Sequence, residues 1–325
     1  MCTSIALTTK DTYTGRNLDL EYAFGEKVVI TPRQFPLQFH KMPALETHQA
    51  IIGMASVAEG YPLYAEGVNE SGVYMAGLNF PGNAYYPPEG GTGEALAPYE
   101  LIPWLLGTCK TAAEAAEQMQ RIPLLGVPFG PNMPLAPLHW HIADRQGAFV
   151  AEPMTDGVKV YPDPVGVLTN NPPFPFHRTN LTQYRGLSAA QPENTLDPAL
   201  ELPPFGQGMG AIGLPGDWSP ASRYVRTAFC KRNCVCENSE ESSVSQFFHL
   251  LDTVAMPRGA VRTPEGNCDI TRYSCCINTD TGTYYYKTYD NCAITAVALT
   301  EERRAGDRLL EFPLDTKLRI TFQKG

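Results

Sequence analysis

The first twenty residues, MCTSIALTTKDTYTGRNLDL, constrain the fold more than any other stretch of the sequence. TSIALTT and TYTGRNLDL are short, carry many β-branched residues and are separated by KD, so together they predict a β-hairpin. A cysteine at position 2 then stands at the start of the first strand. Because chain ends fray unless something holds them, either Cys2 is incidental or the N-terminus itself takes part in the chemistry.

Strand-like and helix-like segments alternate along the rest of the chain. AIIGMASV predicts a buried strand, and VGVLTNNPPF predicts a strand that Pro172 must end. Two further hairpins are predicted at PLYAEGVNESGVYMAGLNF, turning at NESG, and at PLHWHIADRQGAFVAEPM, turning at DRQG. The tail TRYSCCINTDTGTYYYKTYDNCAITAVAL is rich in Tyr and Thr, as strands are, and RLLEFPL and KLRITF are predicted as closing strands.

Four segments predict helices, namely APYELIPWLLGTC, TAAEAAEQMQ, SPASRYVRTAFCKR and SSVSQFFHLLDTVAM. In the second of these, Thr111 is a candidate N-cap ahead of strong helix formers. Strand groups therefore flank a helical middle, which favours an α+β fold and one domain over residues 1–325. Periodicity does not tell whether the sheets face each other.

Composition excludes several classes of protein. The chain of 325 residues carries a formal net charge of −9 and no basic patch, which argues against nucleic acid as a partner. A secretory signal needs a basic start and about 7–15 apolar residues, and Lys10 and Asp11 interrupt the start here. No run approaches the roughly 20 apolar residues of a membrane span. We therefore expect a cytoplasmic protein that does not enter a membrane.

The cysteines and histidines do not form a recognisable metal site. Nine cysteines include the C-x-C pair Cys234/Cys236 and the adjacent Cys275/Cys276, and neither has the C-x2-C spacing of structural zinc. In a reducing compartment we expect free thiols. His139 and His141 are two residues apart, as on one face of a strand, where a packed strand is favoured over a metal pair.

Cys2 acquires a second functional group if Met1 is removed, which the small side chain of Cys2 permits. The residue then carries a thiol and a free α-amine, whose ordinary pKa values are roughly 8.5 and 7.7–8.0. The amine can act as general base for its own thiol, directly or through a water. Such a nucleophile needs no separate histidine.

Arg16 and Asp19 lie on the strand predicted to pair with that of Cys2. Arg16 would favour the thiolate, and Asp19 would hold the α-amine. Their odd separation places them on opposite faces of a regular strand, so we expect a bulge at Gly15 or a strand that ends before Asp19. The alternative is a surface ion pair near a hairpin.

Several motifs, in order, carry a resemblance to the choloylglycine hydrolases, the family of bile salt hydrolases and penicillin V acylases. They are MCTSIAL, GRNLDLEY, EGVNESGVYMAGLNFPG, GVLTNNPPF, GLPGDWSPASRYVR and TYYYKTYDN. The resemblance covers nearly the whole chain. It implies the N-terminal nucleophile hydrolase fold, a four-layer αββα sandwich, together with a homotetramer and removal of Met1 alone, since no pro-segment precedes Cys2. We expect no cofactor and no metal.

The resemblance also implies the catalytic residues. The nucleophile falls on Cys2, and the remaining family positions fall on Arg16, Asp19, Asn79, Asn170 and Arg223. In the family, the backbone N–H at the first asparagine and the side-chain amide of the second form the oxyanion hole. Asn171 stands next to Asn170, and only one of them can fill that role. Without the resemblance, turn chemistry would explain Asn79 and Asn170.

The implied reaction is hydrolysis of a glycine- or taurine-conjugated bile acid, through a thioester on the cysteine. The alternative substrate is penicillin V, but acylases of that branch tend to carry tyrosine where Asn79 stands. Apolar contacts to the steroid fall on Leu18, Ala65, Phe129 and Met133, and Asn79 also borders the substrate. Gln207, in FGQGMG, falls where the family sorts the two amine tails, and the absence of a cation there favours glycine.

Two readings without catalysis stay open. An inactive relative would bind bile salts without turnover. A thiol protein built on the paired cysteines would take up metal or form a reversible disulfide.

Overall fold

The computed structural model describes residues 1–88, 90 and 93–323, and two antiparallel sheets form its centre. Strands of the first sheet are β1 (Cys2–Thr8), β2 (Thr12–Leu20), β10 (Val167–Leu168), β11 (Val261–Arg262), β12 (Cys268–Asn278), β13 (Thr283–Thr288) and β14 (Thr295–Ala298). They pair in the order β10-β1-β2-β12-β13-β14, and β11 pairs with β12. The N-terminal strand therefore lies inside the sheet, which ties down the chain end.

The second sheet is built mainly from consecutive hairpins. Its strands are β3 (Lys27–Thr31), β4 (Ile51–Ala58), β5 (Tyr61–Asn69), β6 (Tyr74–Asn79), β7 (Leu138–Asp144), β8 (Gly147–Met154), β9 (Gly157–Pro162) and β15 (Leu310–Pro313). They pair in the order β15-β3-β4-β5-β6-β7-β8-β9. A strand from near the C-terminus thus closes the edge at β3.

The helices lie outside the two sheets. They are α1 (Leu101–Thr108), α2 (Ala112–Arg121), α3 (Phe174–Asn180), α4 (Pro220–Asn233), α5 (Glu240–Asp252) and α6 (Glu301–Arg304). Short 3₁₀ turns cover Pro98–Glu100, Leu181–Tyr184 and Met209–Ala211. In the part of the chain that the structure describes, no helix is long and apolar enough to span a bilayer.

Three apolar clusters explain how the layers stack. The central cluster joins the inner faces of both sheets and includes Val68 and Ile277. A second packs α1 and α2 against the outer face of the second sheet, around Trp140. A third packs α5 against the outer face of the first sheet, with Phe247 and Ile5 both fully buried. Both faces of each sheet are therefore covered, and the fold is the four-layer αββα sandwich that the sequence resemblance implied.

The first hairpin is regular, and Gly15 has a different role from the expected bulge. Gly15 pairs in register with Ile5 of β1 and with Cys276 of β12. A Cβ at this position would lie 2.0 Å from the backbone carbonyl oxygen of Cys275. Glycine is required there because β2 and β12 approach each other too closely for any side chain.

Most predicted elements are confirmed. All three hairpins form, and Thr111 caps α2 by accepting a hydrogen bond from the Glu114 N–H at 3.1 Å. One prediction is wrong, because KLRITF forms no strand and lies exposed. That segment has the alternation of a strand, but the described structure pairs it with nothing. Five elements went unpredicted, namely β3, β9, β11, α3 and α6.

Candidate active site

Cys2 is the first residue of β1 and is almost completely buried, with 4% of its surface exposed. Leu18 stands directly opposite on β2, and both side chains belong to the cluster between the sheets. The backbone N–H of Cys2 donates to Oδ1 of Asn170 at 2.9 Å. The sheet thus presents the thiol to the space between the layers and holds the backbone nitrogen from the side.

Arg16 lies on the same face of the first sheet as Cys2 and is also buried. Its Nη1 donates to the carbonyl oxygens of Gly77 at 2.5 Å and Ala65 at 3.3 Å, both in the second sheet. Burial opposes the guanidinium charge, but the negative charges of Cys2 and of Glu66 are among those that outweigh it and raise the pKa of Arg16. Arg16 is therefore a permanent cation beside the thiol.

Glu66 balances that cation and was not predicted. One of its carboxylate oxygens lies 3.7 Å from Arg16 Nη1, and the hydroxyls of Tyr273 and Tyr284 donate to the carboxylate at 2.7 and 2.6 Å. Burial raises the pKa of Glu66, against the effect of Arg16. A charged residue within the apolar strand YPLYAEGVN was the available signal, because such a residue must find a partner when buried.

Asp19 lies on the opposite face of β2, as its odd separation from Arg16 indicates. The strand neither bulges at Gly15 nor ends before Asp19; the register shift lies in β12, between Thr271 and Tyr273. The Thr271 hydroxyl donates to Asp19 Oδ1 at 2.6 Å, while Oδ2 is buried without a hydrogen-bond partner. Burial raises the pKa of the Asp19 carboxyl, against the N-terminal amine and other partners that lower it.

Asn170 connects three of the predicted residues. Besides the Cys2 N–H, its Oδ1 accepts a hydrogen bond from Nη2 of Arg223 at 2.7 Å, and its Nδ2 donates to the carbonyl oxygen of Asn79 at 2.7 Å. Asn171 instead turns away and donates to the carbonyl oxygen of Pro81 at 2.7 Å. Of the two neighbouring asparagines, Asn170 is therefore the one at Cys2.

Two side chains, those of Asp163 and His177, fix the position of Asn170. The carboxylate of Asp163 accepts hydrogen bonds from three successive backbone N–H groups, at Val165, Gly166 and Val167, which shapes the approach to β10. The ring of His177 donates from Nε2 to the backbone carbonyl oxygen of Asn170 at 2.9 Å. Burial lowers the pKa of His177, so the ring stays neutral and can only donate from that nitrogen.

Arg223 lies in the first turn of α4, and its side chain contacts residues of β1. Its Nη1 donates to the carbonyl oxygen of Cys2 and, at 2.7 Å, to the Thr3 hydroxyl, and its Nε donates to the carbonyl oxygen of Trp218 at 2.9 Å. Complete burial lowers the pKa of Arg223, against the carboxylates of Asp19 and Asp269. The guanidinium fixes the backbone of the nucleophile rather than its thiol.

Asn79 is the last residue of β6, where the second sheet comes closest to Asn170. Its partner across the ladder is Leu138 of β7. The Leu138 N–H donates to the hydroxyl of Tyr86 at 2.8 Å, and the Asn79 carbonyl oxygen accepts from Asn170 instead. The end of β6 is thus joined to the Cys2 network through the backbone carbonyl oxygen of Asn79.

The N-terminal amine of Met1 lies at the helix side of this network. It donates to the Asp19 carbonyl oxygen at 2.6 Å and lies 3.3 Å from Oδ2 of Asp269. The Met1 carbonyl oxygen accepts from the Asp19 N–H at 2.9 Å, and Arg223 contacts the Met1 sulfur at 3.6 Å. Met1 therefore continues the β1–β2 ladder and fills the space beside Cys2.

The predicted steroid contacts fall into two groups. Leu18 and Ala65 lie at the site, opposite Cys2 and against Arg16 respectively. Phe129, in the loop after α2, packs on the rings of Tyr61 and Tyr99. Met133 and Gln207 are exposed. No hydrogen bond or ring contact recorded among the described residues joins this second group to Cys2.

The histidine pair is part of a packed strand. His139 lies between Glu152, at 3.2 Å, and the Thr169 carbonyl oxygen, at 3.1 Å, and His141 contacts the Ser4 hydroxyl at 2.8 Å. Over residues 1–88, 90 and 93–323, no three His, Cys, Asp or Glu side chains are grouped so that they could hold a metal ion. All nine cysteines are free thiols.

Taken chemically, the site combines a buried thiol, a cation beside it and an amide donor within reach of the same residue. The backbone nitrogen of Cys2 is held by Asn170, and Asp19 lies at the amine of Met1, the residue before it. This is the equipment of acyl transfer, in which a nucleophile forms a covalent intermediate and fixed donors stabilise the developing oxyanion.

Comparison with known proteins agrees with this chemistry. Residues 2–310 match the family model described as linear amide C–N hydrolases, choloylglycine hydrolase family. The chain is 44% identical over 314 residues to a bile salt hydrolase/transferase of Lactiplantibacillus plantarum, which covers 97% of each chain. It superposes on the crystal structure of a mutant conjugated bile acid hydrolase from Clostridium perfringens with a TM-score of 0.91, at 36% identity and full coverage of both chains. A penicillin V acylase from Agrobacterium tumefaciens has the same fold, with a TM-score of 0.75 at 16% identity, covering 96% of this chain and 91% of the acylase.

Proposed function

Because the chain belongs to the choloylglycine hydrolase family of linear amide C–N hydrolases, we propose that it hydrolyses glycine- and taurine-conjugated bile acids. The single observation that carries the proposal is the hydrogen-bond network of Asn170, which joins Cys2, Asn79 and Arg223. A secondary amide between an apolar acyl group and a small amine is the bond that such a site would cleave.

In the first half of the reaction, Met1 has been removed and the α-amine of Cys2 takes the proton of its own thiol. The sulfur attacks the amide carbon, and the carbonyl electrons move to oxygen. Asn170 Nδ2 and the backbone N–H of Asn79 stabilise this oxyanion, which requires Nδ2 to exchange its present partner, the Asn79 carbonyl, for the substrate oxygen. Collapse of the intermediate breaks the C–N bond, and the α-ammonium returns a proton to the leaving amine.

In the second half, water hydrolyses the thioester. The α-amine removes a proton from the water, and the C–S bond breaks after a second oxyanion forms at the same donors. Arg16 stabilises the departing thiolate because it is a buried cation on the same face of the sheet as Cys2. Leu18 and Ala65 border the acyl group, and Phe129, Met133 and Gln207 complete the substrate site when the bile acid binds.

We also propose that the active form is a single domain, a cytoplasmic homotetramer, and that the glycine conjugate is preferred. The absence of a cation at Gln207 supports the preference for glycine. One central core shared by both sheets supports a single domain. Sedimentation velocity of the purified protein tests the tetramer.

The test is amine release from glycocholate, taurocholate and penicillin V under reducing conditions, by the wild type and by Cys2→Ala. We expect Cys2-dependent release of glycine and taurine, with glycine faster. Mass spectrometry of the intact wild type gives the state of the N-terminus.

Preferred cleavage of penicillin V would contradict the substrate assignment and keep the mechanism. Bile salt binding without turnover by a chain that lacks Met1 would make the protein an inactive relative.

A further inference from the structure

The N-terminal amine lies among buried charges that do not cancel without it. Asp269, on β12, has 6% of its surface exposed, and its Oδ2 contacts the amine of Met1 at 3.3 Å. Asp19 approaches from β2 and Arg223 from α4, and the three side chains interact electrostatically. Two carboxylates and one guanidinium leave one negative charge in excess, which the N-terminal ammonium neutralises.

Each of the two carboxylates also has one oxygen that accepts no hydrogen bond. Oδ2 of Asp19 and Oδ1 of Asp269 are buried and have no hydrogen-bond partner. A buried carboxylate oxygen without a donor is costly. When Met1 leaves, Asp269 loses its ion pair with the Met1 amine, and the chain then begins with the α-amine of the adjacent residue, Cys2.

We propose that Asp269 is a positioning residue for the α-amine of Cys2, acting with Asp19 as a pair of carboxylates that orients this amine and raises its affinity for a proton. This rests on the proposed function, in which that amine is the proton acceptor of the reaction. Asp269 therefore helps set the pH at which the nucleophile becomes active, without touching the substrate.

The other charged groups of this network come from β2, β5 and α4. Arg16 and Arg223 interact with Cys2, and Asp19 interacts with the N-terminal amine. Glu66 interacts with Arg16, and Arg226 interacts with Arg223. Substitution of Asp269 leaves all of these in place. Removing one negative charge favours the neutral amine and also favours the thiolate, so both groups of Cys2 would titrate at lower pH.

The experiment measures the rate of alkylation of Cys2 by iodoacetamide as a function of pH, with the N-terminal peptide quantified by mass spectrometry. The same spectra report removal of Met1. Variants are Asp269→Asn, Asp269→Ser and Asp269→Glu. The matched control is Asp252→Asn, because Asp252 forms an ion pair with Lys287 at the end of α5.

We expect the midpoint of alkylation to fall by about one pH unit in Asp269→Asn, since an opposite charge within 4–6 Å shifts titration by about 1–3 units. If Asp269→Asn does not fold, Asp269→Ser should show a shift of the alkylation midpoint in the same direction. Asp269→Glu and Asp252→Asn keep the wild-type midpoint. We also expect the acid limb of the pH profile of kcat/KM for glycocholate to move to lower pH in the same variants.

An unchanged midpoint in both neutral variants overturns the proposal. So does retention of Met1 in these variants alone, which would make Asp269 a determinant of processing. Alkylation needs no bile salt, so a shifted midpoint in a chain that cleaves no bile salt leaves this inference standing and rejects the proposed function instead.

Discussion

Replacing Asn170 with alanine tests the centre of the site, because this one side chain makes three of its contacts. The substitution removes the Nδ2 donor and the Oδ1 acceptor of Cys2 and Arg223. Loss of one oxyanion donor costs about 3–4 kcal/mol in the transition state, or about 10²–10³ in kcat. Leaving the buried Arg223 without its acceptor costs about 1.5–3 kcal/mol of stability, since the lost hydrogen bond is to a charged group.

Asn171→Ala is the matched control, since it is the adjacent residue of the same type and its amide reaches Pro81 rather than Cys2. Glycine release from glycocholate under saturating substrate gives kcat for both variants, and chemical denaturation gives the free energy of unfolding. We expect Asn170→Ala to lose 10²-fold or more of kcat and Asn171→Ala to lose about threefold at most, by the same reasoning. Comparable losses in the two variants, or nearly full activity of Asn170→Ala, would refute the assignment.

The remaining predictions concern packing and charge. Gly15→Ala should prevent folding or lower the melting temperature sharply, because its Cβ would meet the Cys275 carbonyl oxygen at 2.0 Å; circular dichroism during thermal melting checks this. Burial raises the pKa of Asp19, so the folded state binds the proton more tightly, and the stability contributed by this residue decreases as pH rises through the usual carboxyl range. Asp19→Asn should therefore unfold at the same or a higher denaturant concentration near neutral pH while losing amidase activity, and a destabilised but active variant would contradict this. Activity of the wild type should fall on the acid side at a pH above the ordinary carboxyl range, as Asp19 and Glu66 take up protons; an acid limb confined to pH 4 or below would contradict this.

The hairpins and the longer helices were predictable because each signal lies within a short stretch of sequence. The turns NESG and DRQG and the cap at Thr111 act on their immediate neighbours. KLRITF has an equally good local pattern but finds no partner strand among the described residues. Pairing depends on the rest of the fold, so a strand pattern alone cannot decide it.

The residues of the proposed catalytic group were predictable only in part. Cys2, Arg16 and Asp19 lie within one hairpin, where spacing along the chain has a direct structural meaning. Glu66 joins the group by a contact between the two sheets, and Asp269 joins it by a contact from β12 to the N-terminal amine. Such contacts follow from how the layers stack, and that stacking came from the family resemblance rather than from any periodicity.

Arg16 is rooted in one sheet and held by carbonyl oxygens of the other, at Gly77 and Ala65. The distance between the two sheets therefore affects the position of Arg16 as well as the packing of the core. Core substitutions far from Cys2 that widen this gap would displace the cation beside the thiol while leaving every catalytic residue in the sequence. Activity in this fold is accordingly sensitive to core packing, and substitutions in the interior between the sheets affect catalysis as well as stability.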